Sequence, residues 1–173
     1  MRRLTAVLLA ALILAISCSG SSPSPEVETF FSEIEAGFEI YDARKQDISD
    51  EFNSQLPQAD SAEKVDAITR EQLRALLVPF GEFQFRLDMV EAVEGLTNEH
   101  GVLLHLARGL GNAYAEEVAR LDAGGVRGAG ASATGDVVQA VSALGGQCRT
   151  LQRIADDRGV DVHLVCSPND RQR

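Results

Sequence analysis

Along the stretch Val137, Val141, Leu144, Cys148, Leu151 and Ala155 the apolar residues recur at steps of four and three without a break. This 3.5-residue period is the signature of a helix laid side by side against other helices. It predicts a fourth helix from about Thr134 to Arg158, stopped by Gly159, with Cys148 on its core seam. The same period appears near the start of the chain, at Val27, Phe31, Ile34, Phe38, Tyr41, Ile48 and Phe52, with Lys45 bridging the one gap. It predicts a first helix over residues 26–56 that ends at Pro57. The face opposite that seam carries Glu26, Glu28, Glu33, Glu35, Glu39, Asp42, Asp47, Asp50 and Glu51, which reads as a solvated acidic face.

Two further amphipathic segments lie between these. Asp60, with Glu63 three residues later, reads as the cap of a second helix. Its apolar face is Val65, Ile68, Leu73, Leu76, Phe80, Phe83, Leu87 and Val90. Pro79 beside Gly81 predicts a kink, or two helices meeting at an angle. After a break at Gly95, Thr97 is expected to cap a third helix with Glu99 in its first turn, its apolar face being Leu103, Leu106, Leu110, Ala113, Tyr114, Val118 and Leu121. Gly124–Gly125 stops it, and the Gly- and Ala-rich run 124–133 reads as a flexible loop. Four long amphipathic helices with short links make an all-α bundle. Past Gly159, Val160, Val162, Leu164 and Cys166 alternate with Asp161, His163 and Val165, an extended segment with one buried edge.

The amino-terminal residues have a different character. Arg2 and Arg3 precede an uncharged apolar run from Leu4 to Ile16, too short for a membrane-spanning helix and suited to a secretory signal. The run ends in Ala15-Ile16-Ser17-Cys18, which resembles the lipobox of bacterial lipoproteins. The usual form has Leu first and Ala or Gly next to the cysteine; Ala15 and Ser17 stand in for them here. The resemblance implies cleavage before Cys18, a diacylglyceryl group with fatty acyl chains such as palmitate on its thiol, and a new amino terminus that is acylated or left free. It also implies an exported protein on a cell membrane or outer membrane, facing away from the cytoplasm; the alternative is an ordinary secreted protein. On this reading residues 1–17 are the signal, 18–25 a lipidated Ser/Pro tether of roughly 20 Å reach, and 26–173 the helical domain.

With Cys18 assigned to lipid, Cys148 and Cys166 remain as a pair in an oxidising compartment, and are expected to form one disulfide that pins the extended tail to the fourth helix. Two free buried thiols are the alternative; zinc lacks ligands, since only His163 lies nearby in sequence. Two blocks resemble small, uncharacterised helical lipoproteins of GC-rich bacteria. One is Met89-Val90, Glu94-Gly95, His100 and Leu103-Leu104; the other is the cysteine-bounded tail Cys148-Arg149-Thr150-Leu151-Gln152, Ala155-Asp156 and Cys166. That group carries no activity to transfer.

The formal charge of −10 becomes two units more negative when Arg2 and Arg3 leave with a signal that holds no acid. Nucleic acid and anionic head groups are disfavoured partners at that charge. Motifs for catalysis, haem, phosphate loops and calcium loops are missing, so no catalytic residue, cofactor or metal is expected. His100 and His105 are five residues apart, about 140° round a helix, and do not chelate as a four-residue pair does. The expectation is a non-enzymatic binding or interaction module tethered through Cys18 to the membrane, with another envelope protein as partner. The alternative is a small-ligand or metal-binding lipoprotein with a site near Pro79 and His100, built on Phe80 and Phe83. Phe85 is read with those two phenylalanines as core.

Overall fold

The computed structural model of the chain describes residues 22–124 and 131–167. The described residues form four helices: α1 Pro25–Gln55, α2 Ala62–Met89, α3 Thr97–Asp122 and α4 Ala131–Asp157, with a short 3-10 turn at Leu56–Gln58 after α1. No strand is present among them. The lipobox and the rest of residues 1–21 lie outside the described residues, as do 125–130 of the Gly-rich run. The remainder of that run is divided: Gly124 takes a left-handed φ of +78° at the end of α3, and residues 131–133 are already helical.

The helix ends follow local chemistry. Ser24 caps α1, its hydroxyl 3.4 Å from the Val27 N–H, so Pro25 falls in the first turn where its missing donor costs nothing. The cap of α2 is Ser61 and not Asp60: the Ser61 hydroxyl accepts from the Lys64 N–H at 3.3 Å, while Asp60 pairs with the Lys64 ammonium at 2.8 Å. Both residues are good caps, and the one nearer to the third N–H takes the position. Glu63 sits in the resulting first turn, its carboxyl held below the usual range by its own backbone N–H and then by Ser61. Thr97 is likewise one residue inside α3; Leu96 holds the cap position and buries its side chain. Gly159 ends α4 with φ +70°: its N–H bonds to Asp156 O at 3.0 Å and Val160 N–H to Ala155 O at 2.9 Å. That is the paired 5→2 and 6→1 geometry of a Schellman stop, and it requires glycine at the left-handed position.

α2 runs through Pro79 and Gly81 as one helix, so the second of the two expectations for that position does not hold. Pro79 is buried in the bundle, and packing there offsets the loss of the one N–H that the proline ring removes.

Consecutive helices pack antiparallel, as their cross-links show. From α1 to α2, Phe38 meets Phe83 and Tyr41 meets Phe80. From α2 to α3, Arg74 binds Asp122, Gln84 binds Ala107 O and Asp88 binds Arg108. From α3 to α4, Gln147 reaches Glu99 O at 2.9 Å. From Phe38–Phe83 to Tyr41–Phe80, and from Arg74–Asp122 to Asp88–Arg108, one number rises as the other falls.

The seam of α1 buries Val27, Phe31, Ile34, Phe38, Tyr41 and Phe52, as its spacing predicts, leaves Ile48 half-buried, and adds Phe30; Asp42, expected on the solvated face, is buried as well, next to Tyr41 and paired with Lys45. α2 contributes Leu76, Phe80, Phe83 and Leu87. Phe85 is a correction: it is 67 % exposed, because five residues from Phe80 is 140° round the helix. On α3 the buried line is His100, Leu103, Ala107, Leu110, Tyr114, Glu117 and Leu121. This is a regular 3-4 repeat that passes through a histidine and a glutamate, rotated slightly from the line Leu106–Ala113–Val118, whose members are only partly buried. Each buried Phe or Leu contributes about 1.5–3 kcal/mol. The aromatic contacts Tyr41–Phe83, Tyr41–Phe80 and Phe80–Tyr114, at 5.1, 5.2 and 5.6 Å between ring centres, add about 0.5–1.5 kcal/mol apiece.

After Gly159 the tail has no regular secondary structure, and a tight turn at Asp161 bonds Val162 N–H to Val160 O at 3.2 Å. Val160 and Leu164 are buried and Asp161 and His163 exposed, as alternation requires. Cys166 is joined to Cys148 in a disulfide with 5.4 Å between the Cα atoms. The pair ties the last helix to the tail.

Candidate functional site

His100, Phe80 and Phe83 are the residues that sequence singles out, and all three are in the core. His100 Nε2 is 3.1 Å from Leu87 O, and its ring meets Phe30 edge-on at 5.6 Å. Leu87 O, at the C-terminal end of α2, thus accepts both the Val90 N–H at 3.3 Å and the His100 ring. Phe80 and Phe83 pack on Tyr41 two turns away along α2. None of the five principal cavities among the described residues is lined by Pro79, Phe83 or His100. His105 is exposed on α3 and His163 on the tail, whose backbone N–H donates to the Glu35 carboxylate. No group of three His, Cys, Asp or Glu among the described residues could hold a metal ion. Cys18 lies outside the described residues.

Two features of the surface were not visible in the periodicity. The first is a cavity of about 220 Å³ where α1, α3, α4 and the tail converge. Its apolar lining comes from Phe38, Tyr41, Leu110, Tyr114, Val141 and Leu144. Val141 continues the α4 seam by spacing yet stays 45 % exposed, because the space it faces is the cavity. The tail from Val165 to Ser167 forms one wall. Gly145 lets it approach: a Cβ there would stand 3.1 Å from Cys166 O.

The charged groups of this cavity are Asp42, Lys45 and Arg149. Asp42 is buried and pairs with Lys45 at 3.2 Å, and the Lys45 ammonium also stands 5.9 Å from the Tyr41 ring centre. Arg149 makes no ion pair or hydrogen bond through its side chain among the described residues. The Tyr41 hydroxyl is hydrogen-bonded to Tyr114. Burial raises the ionisation of Tyr41 far above the usual tyrosine range, and the neighbouring Tyr114 and Asp42 push it the same way. Burial raises Tyr114 as well, partly offset by its bond to Tyr41.

The second feature is on α2. Val78, Phe85 and Met89 are 66, 67 and 66 % exposed. Their spacings of seven and four residues put them on one stripe, on the opposite side of α2 from the buried line Leu76–Phe80–Phe83–Leu87. Phe85 and Met89 border a groove that Gly81 of α2 and Ala36 of α1 keep open. A loose spacing count cannot separate this stripe from the core, since both repeat at four and seven. The charged residues around it, Glu33, Glu82 and Arg86, were the available signal.

No helix among the described residues is long and apolar enough to cross a membrane. Compared with known proteins, the chain matches no family model, no curated sequence and no solved structure.

Proposed function

We propose that this chain is an exported lipoprotein, anchored through Cys18, that works without catalysis by binding another component of the cell envelope. The observation that carries the binding role is the Val78–Phe85–Met89 stripe. Three large apolar side chains aligned on one outward helix face lose nothing in folding and gain about 25 cal/mol per Å² when a partner covers them. The anchor rests on the lipobox residues Ala15-Ile16-Ser17-Cys18. A chain this acidic is held off anionic head groups, so the lipid supplies the attachment and the folded part stays available to a protein.

Intact mass and fractionation test the anchor: the wild-type chain carries added lipid mass and sediments with membranes, and Cys18→Ser does neither. A photo-crosslinking residue in place of Val78 tests the binding surface in cells. One discrete adduct to an envelope protein, lost in Phe85→Asp, is expected. Crosslinks only to a second copy of the chain, or an adduct indifferent to Phe85→Asp, would remove the interaction role from this face.

A further inference from the structure

The geometry points to a second site, independent of the lipid anchor and of the α2 stripe: we propose that the cavity under the disulfide-tied tail binds a small monoanion with an apolar body. The volume, about 220 Å³, sets the size. It is larger than the roughly 150 Å³ that accommodates a benzene ring and smaller than the roughly 300 Å³ at which drug-sized pockets begin. A medium-chain carboxylate such as octanoate suits that interval.

The lining sets the chemistry of the body. Phe38, Leu110, Leu144 and the faces of Tyr41 and Tyr114 offer carbon surface.

The charged groups set the sign of the head. Two cations and one anion reach this cavity, and the anion, Asp42, is already matched by Lys45. Among the described residues Arg149 is left over. Its guanidinium folds back along α4, with one terminal nitrogen 3.6 Å from where a Gly145 Cβ would stand, on the side where the tail closes the cavity. In a chain of net charge −10, an arginine with no acidic partner among the described residues, at the edge of an apolar hollow, is a place for an external carboxylate.

Neither Val141 nor Arg149 is needed to build the core, since both are exposed. Each can therefore be changed without loss of the fold.

The chain carries a site-specific reporter. It has no tryptophan and two tyrosines, and both tyrosines line the cavity, so its intrinsic emission comes from this place alone. Octanoate, octylammonium and octanol are titrated in turn into the full-length purified protein while tyrosine emission is followed. Octanoate is expected to change the emission saturably, with octylammonium needing at least about tenfold more. Arg149→Gln should raise the octanoate midpoint about tenfold, the size of one lost charge-assisted hydrogen bond. Val141→Phe should abolish the response by filling the cavity. Equal midpoints for octanoate and octylammonium would overturn the proposal, as would an Arg149→Gln protein that titrates like wild type. The absence of any saturable response to octanoate would overturn it too.

Discussion

The side-chain amide of Gln152 is paired with the backbone around Leu164: its oxygen accepts the Leu164 N–H at 2.7 Å, and its nitrogen donates to Val162 O at 3.0 Å. One glutamine on α4 thus offers the tail the donor and acceptor that a neighbouring strand would have offered. This is how the tail's backbone groups are paired with no sheet to join. The Leu164 side chain is buried by the same arrangement.

Replacing Gln152 by Ala leaves one N–H and one C=O of the tail without their protein partners. We expect a loss of about 1–3 kcal/mol, together with faster amide exchange at Leu164 and unchanged exchange in α2. Denaturant unfolding combined with residue-resolved hydrogen exchange measures both. Protection at Leu164 equal to wild type would show that the disulfide alone holds the tail.

The Cys148–Cys166 crosslink closes a loop with a sequence separation of 18. Reduction, or Cys166→Ala, is expected to lower stability by roughly 3 kcal/mol. Thiol labelling of the unreduced protein should find neither cysteine free. Stoichiometric modification of both, without reductant, would contradict the bond.

His100 is a structural residue in this account. Its ring fills space beside Phe30 and satisfies Leu87 O. His100→Ala should cost about 2–4 kcal/mol, mostly from the cavity its ring leaves, since Leu87 O keeps the Val90 N–H, while leaving the octanoate midpoint unchanged. A shifted midpoint with no stability loss would assign His100 to binding instead.

Tyr41 and Tyr114 give the fold an alkaline limit. Both ionise higher in the folded chain than in the unfolded one, chiefly because they are buried. A group whose pKa is raised on folding contributes its stability in full below the unfolded value, about 10, and loses it as pH rises above that. Stability should be flat with respect to these groups up to about pH 9.5 and fall beyond it. Tyrosinate absorbance should appear together with the loss of helical circular dichroism. Tyrosinate appearing near pH 10 in a protein that remains fully helical would show that the two rings are open to solvent.

The helix count, the α1 and α4 seams, the glycine stop at Gly159 and the alternation of the tail were legible in the sequence, because each depends on residues within a few turns of one another. The structure also joins the two cysteines that the sequence paired. The cap of α2 was displaced by one residue, since Asp60 and Ser61 are chemically interchangeable there and only the geometry of the first turn chooses between them. Phe85 was misplaced for a different reason. Phe80, Phe83 and Phe85 look alike as a cluster, but a step of five residues carries the third ring away from the other two.

What the sequence by itself determined is which segments become helices and which face of α1 and α4 turns inward. Periodicity and end chemistry are local, and they act the same whatever lies opposite. What only the tertiary structure decided is how far each helix is rotated and what its spare surface faces. The α3 seam turns to admit His100 and Glu117 because Leu87 O and Arg120 are there to pair with them. The cavity beside Tyr41 and Tyr114 exists because α1, α3, α4 and the returning tail leave a gap where they meet, and a gap belongs to no single stretch of chain.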